Sequence, residues 1–164
     1  MNIVEEQKTD ERKIVTFTLG EQMFGIDMRS LIEIREWEEP TPLPSVPSFI
    51  KGVTNLRGSV VPVVGLSERL GWEPSKIHSR SCILVVSIAN KQAGFLVDEV
   101  ADIVVINGAD IQPAPEVEVN EESVIAGLVK IERRTTDTEN AETMVLLLDL
   151  DALSLTRHLT DMAA

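Results

Sequence analysis

The stretch IKGVTNLRGSVVPVV, residues 50–64, decides the fold class of this chain. Valines flank its polar centre on both sides, and β-branched side chains favour extended chain because they pack well on a pleated surface. Asn55 and Gly58 occupy the first and last positions of a type I turn, where Asn bonds its own backbone and Gly tolerates the exit geometry. The stretch therefore predicts a β-hairpin whose turn presents one cation, Arg57.

Arg57 has two interpretations from the sequence. As an isolated charged residue on a turn it is a solvated side chain, which is the common situation for arginine. As a rigid fork of five donors it suits recognition of carboxylates or backbone carbonyls on a partner. Spacing alone leaves both interpretations open.

The chain before this hairpin predicts a second one. Apolar residues at Ile14, Val15, Phe17 and Leu19 predict a strand, and 23–26 reads as its hairpin partner. Asp27 then suits a helix N-cap. From Met28 the apolar spacing mixes helical and alternating periods, so we expect a short helical turn that runs into a strand.

Further elements follow in order. Four prolines between residues 38 and 47 predict an extended surface connection. Residues 66–71 predict one helical turn that stops at Gly71. The continuous apolar run at 82–86 predicts a strand buried on both faces, so Cys82 is expected to serve packing.

The second half of the chain repeats the first. Gly94 lies 94 − 25 = 69 positions after Gly25, and Gly127 lies 127 − 52 = 75 positions after Gly52. The repeated order is strand, Gly, strand, Pro-bearing connection, Ile-x-Gly strand and final strand, and such self-similarity indicates duplicated structural units. The matched final strands are 61–66 and 145–150. The sequence therefore predicts two small β-barrels that face each other.

Length and composition agree with this architecture and restrict the partners. The 164 residues are 43% hydrophobic, which fits one globular unit or two small modules with a common core. The net charge of −12 argues against nucleic acid and anionic membranes, whose binding needs Lys and Arg, and favours protein partners. The single Cys forms no internal disulfide, and neither a signal peptide nor an apolar membrane span is recognisable. We expect a cytoplasmic protein without direct membrane insertion.

The predicted boundaries are as follows. Residues 1–13 are charged and predict a disordered arm. Residues 14–156 form one domain, with a first barrel at about 14–80 and a second at about 81–156, between which boundary strands can be exchanged. The second copy's turn, residues 131–143, is longer and predicts a solvated loop. A short C-terminal helix is expected within 151–162, so that 157–164 are its end and a tail.

Parts for catalysis are few. His78 and His158 have no Cys or second His at metal-ligand spacing, no Gly-rich phosphate loop occurs, and the run from Asp149 lacks the Gly that a calcium loop requires. We therefore expect no enzyme, cofactor or metal site. Small open barrels expose strand edges and shallow clefts that suit docking of a peptide or helix, so an adaptor is predicted.

Several motifs together resemble the CheW family of chemotaxis coupling proteins. The resemblance covers about 14–155, and its motifs, in the family's order, are FTLG (17–20), FGID (24–27), EIR (33–35), Pro47 with FIKG (49–52), NLRG (55–58), VD (97–98) and IQPAP (111–115). It implies a mainly β fold of two SH3-like five-stranded barrels around a common core, with short helices.

The resemblance also implies a function. Family members couple transmembrane chemoreceptors to the histidine kinase CheA, have no catalytic activity, and are recruited to receptor arrays at the inner membrane. The positions that match the receptor-binding surface are Met28, Leu31, Glu33, Ile34 and Arg57. Without the resemblance, a role in the core is the favoured interpretation for most of Met28, Leu31 and Ile34. The positions that match a surface for the kinase regulatory domain are Gln112, Glu116 and Val117.

Three departures from the family pattern qualify these expectations. Gln112 stands where some members have Arg, and Gly65 and Ser67 flank Leu66 where members often have Asp-Leu-Arg. The long 131–143 turn is the third departure, and it is compatible with a specialised pathway such as pilus-driven or surface motility. A decoy scaffold that binds only the kinase, and a small-molecule-binding double barrel, are the other hypotheses.

Overall fold

The chain forms two five-stranded sheets, each curled into a small open barrel. The computed structural model describes residues 10–114, 124–134 and 140–153. The strands are β1 (Glu11–Leu19), β2 (Gln22–Asp27), β3 (Leu31–Glu36), β4 (Ile50–Leu56), β5 (Ser59–Gly65), β6 (Cys82–Ile88), β7 (Lys91–Val97), β8 (Glu99–Asn107), β9 (Ile125–Arg134) and β10 (Asn140–Leu148). One helical turn, α1 (Leu66–Arg69), and two single-turn 3-10 helices, Met28–Ser30 and Gly108–Asp110, complete the described elements.

The two barrels exchange strands, a possibility that the predicted boundaries left open. The first barrel, which contains the 50–64 hairpin, has the strand order β3-β6-β7-β5-β4, and the second has β8-β1-β2-β10-β9. The predicted first barrel at 14–80 therefore loses β1 and β2 to the second barrel and receives β6 and β7 in return. Sequence periodicity identifies a hairpin but carries no information on which sheet the hairpin joins, so the exchange was open until the pairing was known.

The repeat inferred from the glycines is confirmed at the level of single residue pairs. Gly25 pairs with Leu147 across parallel strands β2 and β10, and Gly94 pairs with Val63 across parallel strands β7 and β5. Both copies also share a β-bulge at the same place, between Ile50 and Gly52 on β4 and opposite Leu147 and Leu148 on β9. A bulge shared between copies indicates a structural feature of the duplicated unit.

The Pro-bearing connections are also equivalent. The backbone of Thr41 exchanges two hydrogen bonds with Val53, each 2.8 Å, and the backbone of Gln112 exchanges two with Leu128, at 2.7 and 2.8 Å. Val53 and Leu128 each follow a repeat glycine. A Cβ on Gly52 would lie 2.2 Å from the Thr41 carbonyl oxygen, so a residue without a side chain is needed where the connection crosses β4.

The central hairpin is confirmed, but its turn type differs from the prediction. Leu56 pairs with Ser59, so the loop has two residues, Arg57 at φ 53° and Gly58 at φ 84°. Two positive φ values define a type I′ turn, whose twist matches that of the flanking strands better than type I. The Asn55 side chain still accepts a hydrogen bond from the Gly58 N–H at 3.1 Å, so these two residues do define the turn.

Two segments that the sequence predicts to be irregular contain strand residues. β1 begins at Glu11, because Glu11, Arg12 and Lys13 pair with β8 while their charged side chains stay exposed. Within the predicted 131–143 loop, β9 continues to Arg134 and β10 starts at Asn140. Both extensions are rich in charged residues, which suggested irregular structure. Charged residues also occur on the exposed face of a strand, so composition alone did not reveal these strand ends.

The short helical predictions are confirmed where the structure describes them. Asp27 caps the first 3-10 turn by accepting from the Arg29 N–H at 2.8 Å, and the turn leads into β3. α1 occupies the predicted 66–71 segment. At the C-terminal end the Asp149 carboxylate accepts from the Ala152 N–H at 3.3 Å, as at the start of a helix. The remainder of the predicted C-terminal helix and tail lies outside the described residues.

A shared core joins the barrels and confirms the predicted mainly β class with a common core. Its fully buried aromatic residues are Phe17 and Phe24 from the second barrel and Phe95 from the first. Burial of each such side chain contributes roughly 1.5–3 kcal/mol. Each barrel also has its own interior cluster, one around Val145 and one around Val63.

Candidate partner-binding surfaces

The first barrel has an open seam between its two edge strands, β3 and β4, and an ion pair crosses it. Arg57 Nη2, on the β4–β5 turn, lies 3.3 Å from Glu33 Oε2 on β3, and Arg35 Nη1 lies 3.7 Å from the same oxygen. The Glu33 side chain is 21% exposed, whereas that of Arg57 is 76% exposed. The carboxylate therefore orients an Arg whose donors remain largely available to a partner.

Two of the candidates on β3, Glu33 and Ile34, point to opposite faces of the strand. Glu33 pairs with Val85, a member of the first-barrel interior cluster, whereas Ile34 pairs with Leu84 of the shared core. Paired residues in an antiparallel sheet share a face, so Glu33 and Ile34 point to different sides of the strand. Ile34 is nevertheless 44% exposed because β3 is an edge strand with a free outer side.

Met28 and Leu31 have a mixed role. Both are partly buried and pack against the shared core, so the core interpretation accounts for part of each side chain. The rest of each side chain is exposed. Ile32, which the sequence reading did not include, is 41% exposed on the same edge. Exposed and less exposed residues alternate along β3, so assignment of this strand identifies Ile32 as a surface residue.

Met28 also lines a hollow of about 670 Å³ where the first 3-10 turn meets the start of β1 and the end of β8. Lys13, Val105, Asp27 and Arg29 also line it. The hydrogen bond from the Arg29 guanidinium lowers the pKa of the Asp27 carboxyl below its usual value of 3.8. This hollow therefore combines apolar surface with fixed charges of both signs.

The predicted kinase-binding residues are only partly described. Gln112 has an exposed side chain on a backbone held firmly to Leu128 by two hydrogen bonds. Glu116 and Val117 lie outside the described residues. The structure thus places Gln112 on the second barrel, away from the seam that carries Arg57.

At the corner where Gly65 and Ser67 depart from the family pattern, a different ion pair is present. Lys51, the bulged residue of β4, pairs with Glu68 of α1. A Cβ on Gly65 would approach this pair to within 2.7 Å of a Glu68 oxygen and 2.9 Å of the Lys51 Cε. Ser67 donates to the Glu73 carbonyl oxygen at 2.7 Å. The corner is thus stabilised by the Lys51–Glu68 ion pair and the Ser67 hydrogen bond.

The described residues show no assembled catalytic or metal-binding group. No cluster of three or more His, Cys, Asp or Glu side chains suited to a metal occurs in this part of the chain. Cys82 is buried at the start of β6, and burial raises the pKa of its thiol. None of the helices in the described ranges is long and apolar enough to cross a membrane. Two linked barrels with charged and apolar edge surfaces are typical of a protein-binding scaffold.

Comparisons with known proteins agree with this class. A family model described as the CheW-like domain matches residues 13–157. The chain is 36% identical over 144 residues to the probable chemotaxis protein CheW of Rhizobium etli, which covers 87% of each chain. It is also 34% identical over 109 residues to Protein FrzA of Myxococcus xanthus, covering 66% of this chain and 68% of that one.

A solved structure gives the same result. The crystal structure of the scaffolding protein TtCheW from Thermoanaerobacter tengcongensis superposes with a TM-score of 0.72 at 32% identity, covering 85% of this chain and 84% of the other. The chain belongs to the CheW-like family. The relatives of Rhizobium etli and Rhizobium meliloti are named as chemotaxis proteins, and the structural neighbour is named as a scaffolding protein.

Proposed function

We propose that this protein couples transmembrane chemoreceptors to a CheA-type histidine kinase, as a non-catalytic adaptor recruited to receptor arrays at the inner membrane. The observation that carries the proposal is the exposed Arg57, oriented across the first-barrel seam by Glu33 of β3, the edge strand that also carries the exposed Ile34. A cation next to an apolar edge is suited to an amphipathic helix that has carboxylates along one side.

The receptor surface that we propose comprises Met28, Leu31, Glu33, Ile34 and Arg57. Ile34 and the exposed parts of Met28 and Leu31 supply apolar contact, and the hollow beside Met28 provides room for a side chain of the incoming helix. Glu33 acts by holding Arg57, because its carboxylate is within 3.3 Å of the guanidinium. Neutralising Glu33 should therefore weaken receptor binding less than reversing Arg57.

The kinase surface that we propose is centred on Gln112, Glu116 and Val117 and faces the regulatory domain of the kinase. The two backbone hydrogen bonds of Gln112 to Leu128 support this assignment, since a backbone that is already ordered loses little entropy on binding. A neutral amide forms weaker hydrogen bonds to a carboxylate than Arg does. We therefore expect a Gln112→Arg variant to bind the kinase domain more tightly if the facing kinase residue is acidic.

The second candidate is a specialised CheW-like scaffold of a non-flagellar pathway. The similarity to a relative with a different name, Protein FrzA, supports this candidate. This candidate involves the same two surfaces and differs in the receptor set. Binding to receptor tips from each chemosensory operon of the same genome would separate the two candidates. A small-molecule-binding barrel would instead show a saturable ligand that raises the melting temperature.

The test is a binding titration of the full chain against the kinase regulatory domain and against a receptor tip. We expect saturable binding to both partners. Arg57→Glu should weaken receptor binding at least tenfold and leave kinase binding unchanged, and Lys91→Glu, an equal charge change on an exposed strand end, is the matched control. Binding to neither partner would refute the coupling proposal. Binding to the kinase alone would indicate a decoy scaffold.

A further inference from the structure

The second barrel has an open seam of its own, and its chemistry is the opposite of that in the first. β8 and β9 are the edge strands of this barrel. A groove of about 410 Å³ lies between them, with buried Ile106, Val129 and Ile131 in its lining. The apolar interior of the barrel is therefore accessible along one line, which we call the second seam.

Charge at the second seam is acidic. Its rim contains Glu11, Asp110 and Glu132, against a single cation, Lys130, among the described lining residues. By the repeat offsets, Glu132 and Asp102 occupy the positions that Arg57 and Glu33 occupy in the first barrel. The ion pair that crosses the first seam is therefore replaced by two carboxylates, which cannot pair with each other.

A second and independent observation also indicates a missing cation. Glu132 on β9 lies directly opposite Glu142 on β10, and both side chains are exposed. Opposed residues of an antiparallel pair have adjacent side chains, and like charges in this arrangement are destabilising. A cation supplied by a partner would relieve this repulsion while it fills the place of Arg57.

The backbone provides the remaining recognition element. An edge strand presents unpaired N–H and C=O groups on its outer side. Gln112 bridges to β9 at Leu128. Among the described residues, no strand pairs with the outer side of β9 from Val129 onward, so the backbone there can pair with an added strand. A groove between two such edges accepts an extended chain by strand addition.

We propose that the second seam binds an extended basic peptide segment of a partner protein. The segment adds as a strand along β8 or β9, places apolar side chains over Ile106 and Ile131, and directs Lys or Arg towards Glu132 and Glu11. The seam lies apart from the proposed receptor surface but adjoins Gln112, which bridges to Leu128 of β9, so peptide binding is tested on the chain alone, without kinase or receptor.

The experiment uses the full chain labelled with ¹⁵N and a fluorescent peptide of about six alternating Lys and Val residues, which is the usual length of a strand. A Glu-Val peptide of equal length is the control ligand. We expect saturable binding of the basic peptide only, and slower hydrogen exchange at amides of β8 or β9. Glu132→Lys should weaken binding at least tenfold, whereas Glu21→Lys, an equal charge change in the exposed β1–β2 turn, should have little effect.

Several results would overturn the proposal. Equal weakening by Glu132→Lys and Glu21→Lys, or binding without exchange protection at β8 and β9, would show general attraction to an acidic protein. Absence of binding would exclude the site. Binding that appears only after deletion of residues 1–9 would show that the chain's own N-terminal segment occupies the groove. Self-association abolished by Glu132→Lys would show that a second copy does.

Discussion

The two barrels have the same backbone plan and different seams. Their strand orders, parallel pairs, bulges and Pro-connection bridges correspond residue by residue. Even the exposed isoleucines correspond, since Ile34 pairs with Leu84 and Ile103 pairs with Val15, each partner being a member of the shared core. The first seam, however, is crossed by Glu33 and Arg57, whereas the second has acidic residues at the equivalent positions. Duplication has thus preserved packing while surface charge has diverged.

The largest expected effect concerns the repeat glycines. Gly52 has φ 145°, and its added Cβ would meet backbone atoms of Thr41, whereas Gly127 has no positive φ and its added Cβ would first meet the Cγ2 methyl of Ile111, with the nearest backbone atom, the Gln112 carbonyl oxygen, at 3.0 Å. Strain at such a position costs of order 1–3 kcal/mol before any clash is counted. We expect Gly52→Ala to lower the free energy of unfolding by about 3 kcal/mol and Gly127→Ala by about 1 kcal/mol in urea denaturation. Equal losses of unfolding free energy in the two variants would contradict this difference, because they would show that the two Pro-bearing connections pack equally closely against their glycines.

The next comparison uses the equivalent positions Cys82 on β6 and Lys13 on β1. Cys82 is buried and its thiol pKa is raised by burial, whereas Lys13 is exposed. Because the thiolate is the reactive form, Cys82 should react with a neutral maleimide or disulfide reagent at pH 7 at least about a hundredfold more slowly than a Cys introduced by Lys13→Cys in a Cys82→Ser background. Similar rates, measured by mass spectrometry, would contradict the burial of β6.

The two 3-10 turns provide a pH comparison. Asp27 caps one and Asn107 caps the other, and each accepts a backbone N–H, at 2.8 and 2.9 Å. Because the pKa of Asp27 is lowered in the folded protein, its contribution to stability is present above the ordinary value of 3.8 and disappears as the pH falls through the folded pKa.

Asp27→Ala should therefore lower the free energy of unfolding by about 1 kcal/mol at pH 7 and by less below pH 3.8. Asn107→Ala should cost a similar amount at both pH values, because an amide does not titrate in this range. Denaturation at the two pH values measures both variants. A loss at Asp27 that is independent of pH would show that the charge of the cap is irrelevant.

The smallest effect is expected at the seams themselves. Exposed ion pairs contribute about 0–1 kcal/mol, so Arg57→Glu should lower the free energy of unfolding by only about 0.5 kcal/mol. Glu132→Lys should raise it by a similar amount, because it replaces the repulsion from Glu142 with attraction. Glu21→Lys is the control for Glu132→Lys, because it changes the net charge of the protein by the same amount. A large loss on Arg57→Glu would mean that this residue maintains the fold and is not available to a partner.

Much of the fold was predictable from local patterns. β-branched runs, repeat glycines and clustered prolines gave the hairpins, the duplication and the connections, because each reflects a backbone requirement within a few residues. The exchange of β1–β2 for β6–β7 was not predictable in this way, since it depends on pairing between residues far apart in the chain. The type I′ turn was missed because Arg57 has a positive φ that is uncommon outside glycine.

The residues of the candidate site were predictable from the sequence, but their arrangement in space was not. Arg57 was recognised from the turn, and the family resemblance supplied the residues of β3. The opposite directions of Glu33 and Ile34, the exposure of Ile32 and the ion pair to Glu33 all depend on how edge strands lie across an open seam. The acidic second seam required the structure, because its carboxylates come from β1, β9 and the second 3-10 turn.

Hydrogen exchange of the full chain with and without a receptor tip tests the central claim most directly, because it reports on both barrels in one experiment. The account predicts slower exchange in the first 3-10 turn, β3 and the β4–β5 turn around Arg57, with β8 and β9 unchanged. Protection confined to β8 and β9, or no protection in the presence of a saturating receptor tip, would contradict the assignment of receptor binding to the first barrel.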